Sequence, residues 1–137
     1  MIEAGLVYII RKETKYETKS RELVSILSSQ HHDIEELDFQ QALDTDFSSS
    51  IMIIVDVTLE DYQTVSALRI ILQEPKDKSI PLFFVIGSMQ RKEIIQAQSL
   101  NATDFLAHPI KASEFTKKLK NIANNSIENS WSNLSAI

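Results

Sequence analysis

The stretch "IMIIVDV", residues 51–57, is apolar for its first five positions and then presents the carboxylate of Asp56. Two further runs have the same character, "GLVYII" at 5–10 and "PLFFVIG" at 81–87. All three are rich in β-branched and aromatic residues, which favour strands. Continuous rather than alternating apolarity is typical of strands covered on both faces, so these runs predict a parallel sheet between helical layers.

Segments with helical periodicity alternate with these runs. Apolar residues recur every three or four positions in 20–29, 62–73, 91–100 and 111–125. Asn101 is predicted to end the third of these helices and Ser113 to cap the fourth. A further strand is predicted at 104–109, and a short strand and a short helix within 32–50. The pattern predicts an α/β fold, a three-layer, doubly wound, five-stranded parallel sheet of the flavodoxin-like class.

Length and charge limit the possible functions. With 137 residues, of which 43% are hydrophobic, the chain is the size of one compact domain. A net charge of −5 disfavours nucleic acid or an anionic membrane as a partner of this domain and favours a protein. The absence of cysteine excludes disulfides, a thiolate nucleophile and a Cys-based zinc site, and it suits a cytoplasmic location. The apolar run near the N-terminus is too short to span a membrane.

Charged residues follow two of the apolar runs at the edge where such sheets hold their ligands. Asp56 is placed to accept a phosphoryl group or hold a cation, and alternatively only caps a backbone amide where a loop begins. Arg11 and Lys12 follow the first run, and a Lys12–Asp56 ion pair is expected if strands one and three are neighbours. Alternatively, residues 11–22 form a solvated charged loop, or a weak phosphate-binding or nucleic-acid-binding segment.

Motifs of common enzymes are missing from the sequence. The two glycines, Gly5 and Gly87, form no glycine-rich phosphate loop, and no Ser/His/Asp elbow is present. His31 and His32 lack a third ligand at a metal-binding spacing, so no metal site is predicted there. His108 either donates to an anion near Asp56 or is a structural residue. The sequence therefore predicts a protein that is not an enzyme.

Over roughly residues 5–123 the chain resembles the receiver domain of bacterial response regulators, the CheY-like family. Asp56 falls at the phosphoacceptor position of that family, and Ile86 where the family has Thr or Ser. The stretch "SLNATDFLAHPI", residues 99–110, is similar to the family's "LGADDFLxKPF". It places Phe105 at the aromatic switch position and His108 at the position of the family's lysine.

The resemblance also identifies departures. Receivers bind Mg²⁺ through an acidic pair after strand one, and Arg11 and Lys12 stand at those positions. Two cations there should exclude the metal, so no cofactor is predicted. Ile86 cannot hydrogen-bond a phosphoryl group, and His108 is mostly neutral at pH 7. The resemblance therefore implies a degenerate receiver, or pseudo-receiver, in which Lys12 takes the place of the missing cation.

The main functional hypothesis is a receiver-like regulatory module of two-component signalling that acts through protein contacts. A first alternative keeps phosphorylation of Asp56 by a histidine kinase, with Lys12 and His108 neutralising the phosphoryl group. A second alternative is a small-molecule or nucleotide sensor. Residues 1–123 are predicted to form the receiver-like domain, and 124–137 a linker or a helix leading to an output domain beyond Ile137. The family commonly pairs through the face from strand four to helix five, which predicts a homodimer.

Overall fold

The computed structural model of the chain describes residues 5–12, 21–57, 59, 62–73, 80–86, 91–107 and 110–121. Strands and helices alternate along these residues. The strands are β1 (Leu6–Ile10), β2 (Asp33–Leu37), β3 (Met52–Val55), β4 (Leu82–Ile86) and β5 (Asp104–Ala107). The helices are α1 (Arg21–Ser29), α2 (Phe39–Leu43), α3 (Tyr62–Ile71) and α4 (Arg91–Ser99), followed by α5 at residues 112–121. The predicted elements are confirmed, including the short strand and short helix within 32–50.

The strands form one parallel sheet in the order β2-β1-β3-β4-β5. Strand β1 lies between β2 and β3, and Ile10 pairs with both Leu37 and Val55. The carboxyl ends of these three strands therefore meet at one edge of the sheet. This order confirms the predicted doubly wound, flavodoxin-like class and the predicted neighbourhood of strands one and three.

Alternation along each strand divides the core into two apolar layers. Tyr8 and Ile10 of β1 point to the layer shared with α2, α3 and α4. Val7 and Ile9 point to the opposite layer, where Leu23 of α1 and Phe115 of α5 pack. The central strands β3 and β4 are buried along their whole length, which explains why their sequences are continuously apolar.

Two helices end in the same hydrogen-bonded turn. After α1, His31 has a positive φ of 65°, and the His32 N–H donates to the Leu27 carbonyl at 3.2 Å. After α4, Asn101 has a φ of 64° with the equivalent bonds, which confirms the predicted helix end. The prediction for Ser113 is wrong: α5 begins at residue 112, so Ser113 lies inside the first turn.

Residues 122–137 lie outside the part of the chain that the structure describes. The predicted domain boundary at residue 123 and the predicted linker at 124–137 therefore stay predictions. Among the described helices, none is long and apolar enough to cross a membrane.

Candidate functional site

Backbone hydrogen bonds fix the positions of the charged residues at the carboxyl edge of the sheet. The Arg11 N–H donates to the Leu37 carbonyl of β2 at 2.8 Å, and the Asp56 N–H donates to the Ile10 carbonyl of β1 at 2.9 Å. Ile9 of β1 pairs with Glu36 of β2, so both point to the same face of the sheet. Arg11 follows two residues after Ile9, just beyond the end of β1, and its side chain points to that face as well, where it contacts Glu36.

Arg11, Glu36 and Asp56 form a charge cluster at this edge. Only 5% of Arg11 is exposed, so its guanidinium is almost completely removed from solvent. Its Nη1 lies 2.9 Å from Oε1 of Glu36, and its Nε lies 3.8 Å from Oδ2 of Asp56. The two carboxylate side chains are also largely buried, with 28% of Glu36 and 11% of Asp56 exposed. One buried cation is thus shared by two carboxylates, one in β2 and one just after β3, the strands on either side of β1.

The guanidinium keeps unused hydrogen-bonding capacity. Its Nε and Nη2 atoms are buried and have no hydrogen-bond partner among the described residues. At 3.8 Å the Nε–Asp56 contact is therefore a charge–charge contact without a formed hydrogen bond. Arg11 is held most closely by Glu36 and stands beside Asp56 as a fixed positive charge.

The sequence assigned the cation beside Asp56 to Lys12, whereas the structure places Arg11 there as the buried cation. Lys12 is exposed, and Lys12 and Asp56 each have a further interaction. A Lys12–Asp56 ion pair stays a prediction. The alternative of a solvated loop is wrong for Arg11, which is buried.

Sequence reasoning missed Glu36. It lies in the edge strand β2, in the region where the pattern was weakest. The signal that would have found it is strand alternation, because Ile34 and Glu36 are the half-buried positions of β2 while Asp33 and Glu35 are exposed. Glu36 therefore shares the inward face of β2 with Ile34.

The two predicted switch positions lie on β4 and β5. Ile86 is buried at the end of β4 and pairs with Ala107. Phe105 pairs with Phe84, is partly buried, and packs on the apolar layer under α3 and α4. Lys118 of α5 donates to the Phe105 carbonyl and so attaches that helix to β5. His108 lies outside the described residues, so its position relative to Asp56 stays a prediction.

The adjacent histidines have structural positions. His31 occupies the left-handed residue that ends α1, and His32 is buried. The Gly5 N–H donates to Nδ1 of His32 at 3.2 Å, which joins the start of β1 to the end of α1. Within the described residues, no cluster of three or more potential ligands is placed to hold a metal ion.

No protein-family model matches the sequence, and no curated protein matches it. Solved structures, however, share the fold. A two-component response regulator from Clostridium difficile superposes with a TM-score of 0.68 at 17% identity, covering 88% of this chain and 96% of that one. The chemotaxis protein CheY4 of Vibrio cholerae gives a TM-score of 0.67 at 15% identity, with 87% and 98% covered.

A third structure is the receiver domain of a signal transduction histidine kinase from Syntrophus aciditrophicus. It gives a TM-score of 0.65 at 19% identity, covering 89% of this chain and 92% of that one. These likenesses establish the fold: the chain has the five-stranded parallel architecture of response regulator receiver domains. The resemblance expected from residues 5–123 is confirmed at this level.

Proposed function

We propose that this chain is a receiver-like regulatory module of two-component signalling that acts through protein contacts and whose phosphorylation site is degenerate. The observation that carries the proposal is the buried guanidinium of Arg11, 3.8 Å from the carboxylate at the phosphoacceptor position. The resemblance implies that a working receiver neutralises the transferred phosphoryl group with Mg²⁺ and a lysine. Here the positive charge beside Asp56 is a guanidinium that Glu36 already holds at 2.9 Å.

The residues at this edge do not fit a bound Mg²⁺. The metal needs several oxygen ligands in near-octahedral geometry, usually with anionic carboxylates among them. The acidic pair implied by the resemblance is replaced by Arg11 and Lys12, and Arg11 is buried next to Asp56. A divalent cation beside Asp56 would face the fixed charge of the guanidinium at short range. No step of the proposed function involves a metal.

Ile86, at the switch position that ends β4, also supports a degenerate phosphorylation site. Ile86 is buried and has no hydroxyl with which to bind a phosphoryl oxygen. The end of β4 therefore has no hydroxyl that could respond to a phosphoryl group on Asp56. In this proposal Asp56 anchors Arg11. The module is a non-enzymatic, cytoplasmic domain, and its protein partners recognise its surface. One of these partners is a second copy of the chain, which pairs through the face from β4 to α5.

Treatment with acetyl phosphate or beryllofluoride, with and without Mg²⁺, tests the proposal. Intact-mass spectrometry should detect no phosphoryl adduct, and NMR should show no beryllofluoride-dependent shifts at the carboxyl edge. Asp56→Asn is the control for adducts at other carboxylates, and a receiver known to react with acetyl phosphate is the positive control. An Mg²⁺-dependent adduct on Asp56 would overturn the proposal. An Mg²⁺-independent adduct on Asp56 would also overturn it, in favour of a phosphoacceptor neutralised by side chains.

A further inference from the structure

Helices α3 and α4 carry an unusual share of exposed apolar surface. Among the described residues, four large hydrophobic side chains are exposed, and three of them lie on these two helices. Tyr62 of α3 is 78% exposed, Ile70 of α3 is 59% exposed and Ile95 of α4 is 53% exposed. A single exposed apolar residue needs no explanation, whereas three on two helices of one layer are of interest, because exposed apolar surface can mark an interaction site.

A groove runs between the carboxyl-terminal ends of the two helices, and Ile70 lines it. It holds a cavity of about 530 Å³ whose wall includes Ser66, Arg69 and Ile70 of α3 and Ser99 of α4. Arg69 Nη2 lies 3.5 Å from Ser99 Oγ and spans the groove. Tyr62, Ser66 and Arg69 follow one another at intervals of four and three residues, so they form one stripe along α3.

The exposed charges of the described helices α3 and α4 have one sign. The cations of α3 and α4 are Arg69, Arg91 and Lys92, and all three are exposed. The one carboxylate in these helices is Glu93, which is buried. The exposed charges of these two helices are therefore all basic, on a chain whose net charge is −5, and Arg69 is the one that lines the groove. A basic face on an acidic protein attracts negatively charged partners selectively.

We propose that the α3/α4 groove docks an acidic amphipathic segment of a partner protein, with apolar side chains against Ile70 and Ile95 and carboxylates beside Arg69. Laying an amphipathic helix into a groove between two helices is a common mode of peptide recognition. A second copy of this chain fits less well, because a two-fold pairing through this face brings like charges together. The inference does not depend on the chemistry of Asp56, since the groove is lined by the carboxyl-terminal halves of α3 and α4, towards the opposite edge of the sheet.

The test uses a synthetic peptide of about 16 residues, enough for roughly four helical turns, with leucines on one face and glutamates beside them. Isothermal titration calorimetry gives the affinity, and ¹⁵N chemical-shift mapping locates the site. Arg69→Glu and Ile95→Ser should each weaken binding about fivefold or more, and replacing the peptide's glutamates by glutamine should weaken it similarly. Lys117→Glu on α5 and Leu43→Ser on α2 are matched exposed controls and should change affinity less than about twofold.

Several results would overturn the proposal. The first is no binding of the glutamate peptide at millimolar concentration, and the second is an equal loss of affinity in Arg69→Glu and Lys117→Glu. Shifts that map away from α3 and α4 would place the peptide elsewhere. Binding to phosphatidylglycerol vesicles without binding to the peptide would identify a membrane surface instead. Dimerisation in sedimentation velocity that Ile95→Ser abolishes would assign the groove to a second copy.

Discussion

Replacing Arg11 by methionine should destabilise the fold more than removing any exposed cation. Methionine keeps much of the apolar stem and removes the charge, so the packing around β1 changes little. What remains is a pair of carboxylates, Glu36 and Asp56, which were held by one guanidinium at 2.9 Å and 3.8 Å. Both are largely buried, so water replaces the lost partner poorly.

The magnitude follows from the burial of the cluster. Removing one member of a buried ion pair typically costs about 3–5 kcal/mol, because the remaining charge is left uncompensated. Glu36 retains 28% exposure and is partly screened by solvent. We therefore expect the lower end of that range, about 3 kcal/mol. For a domain of this size that corresponds to a melting temperature lower by about 10 °C.

Urea denaturation followed by far-UV circular dichroism measures the effect. Arg69→Met is the matched control, since Arg69 is exposed and should change the free energy of unfolding by less than about 0.5 kcal/mol. Combining Arg11→Met with Asp56→Asn should recover part of the loss, because one buried charge is then removed. This double variant also keeps the test valid if Arg11→Met alone is unfolded. Equal small effects of Arg11→Met and Arg69→Met would refute the reasoning.

Three further predictions concern packing, backbone and pH. Phe47 is buried edge-to-face against Tyr8 at 5.1 Å between ring centroids, so Phe47→Ala should cost about 3–5 kcal/mol of unfolding free energy in urea titrations, and Phe47→Leu clearly less. His31→Gly should stabilise the protein by about 0.5–1 kcal/mol, because glycine adopts the positive φ without strain; a lower urea midpoint would contradict this. Burial and the neighbouring Glu35 carboxylate raise the pKa of Tyr8 above its ordinary value of 10.0. The unfolded chain then ionises first, so wild-type stability should fall as the pH rises past about 10, and Tyr8→Phe should show a smaller fall between about pH 8 and pH 10.5.

The fold was predictable because its strongest signals are local. The strands of a parallel sheet are covered on both faces, so β1, β3 and β4 appear as uninterrupted apolar runs. Asn101 was recognisable as a helix end, since asparagine tolerates the left-handed conformation. The prediction that Ser113 caps the last helix was wrong because serine is favoured at N-caps and also occurs within the first turn of a helix. The hydrogen bond from the Phe115 N–H to the Lys111 carbonyl shows that the helix begins before it.

The site was predictable in position and only partly in composition. Strand ends identified Asp56 and the pair Arg11–Lys12, whereas the choice between the two cations depends on which face of β1 each occupies. Arg11 shares its face with Ile9, two residues earlier, and that parity makes it the buried cation. Glu36 was missed because β2 is an edge strand with a weak apolar pattern. Glu36 and Asp56 are also far apart in the sequence, so the sequence does not indicate that the two carboxylates contact one guanidinium.

Because two carboxylates share one guanidinium, the order of substitutions at Arg11 and Glu36 matters for the stability of the carboxyl edge of the sheet. Replacing Arg11 by aspartate, the first step towards a metal-binding acidic edge, would place a third carboxylate beside Glu36 and Asp56. The apo protein would then have to fold with that repulsion unrelieved. Neutralising Glu36 first, for example as glutamine, removes one buried carboxylate while Arg11 still balances Asp56. The same two substitutions therefore pass through a three-carboxylate intermediate in one order and avoid it in the other, so Glu36, a residue of the edge strand, limits how this edge of the sheet can change.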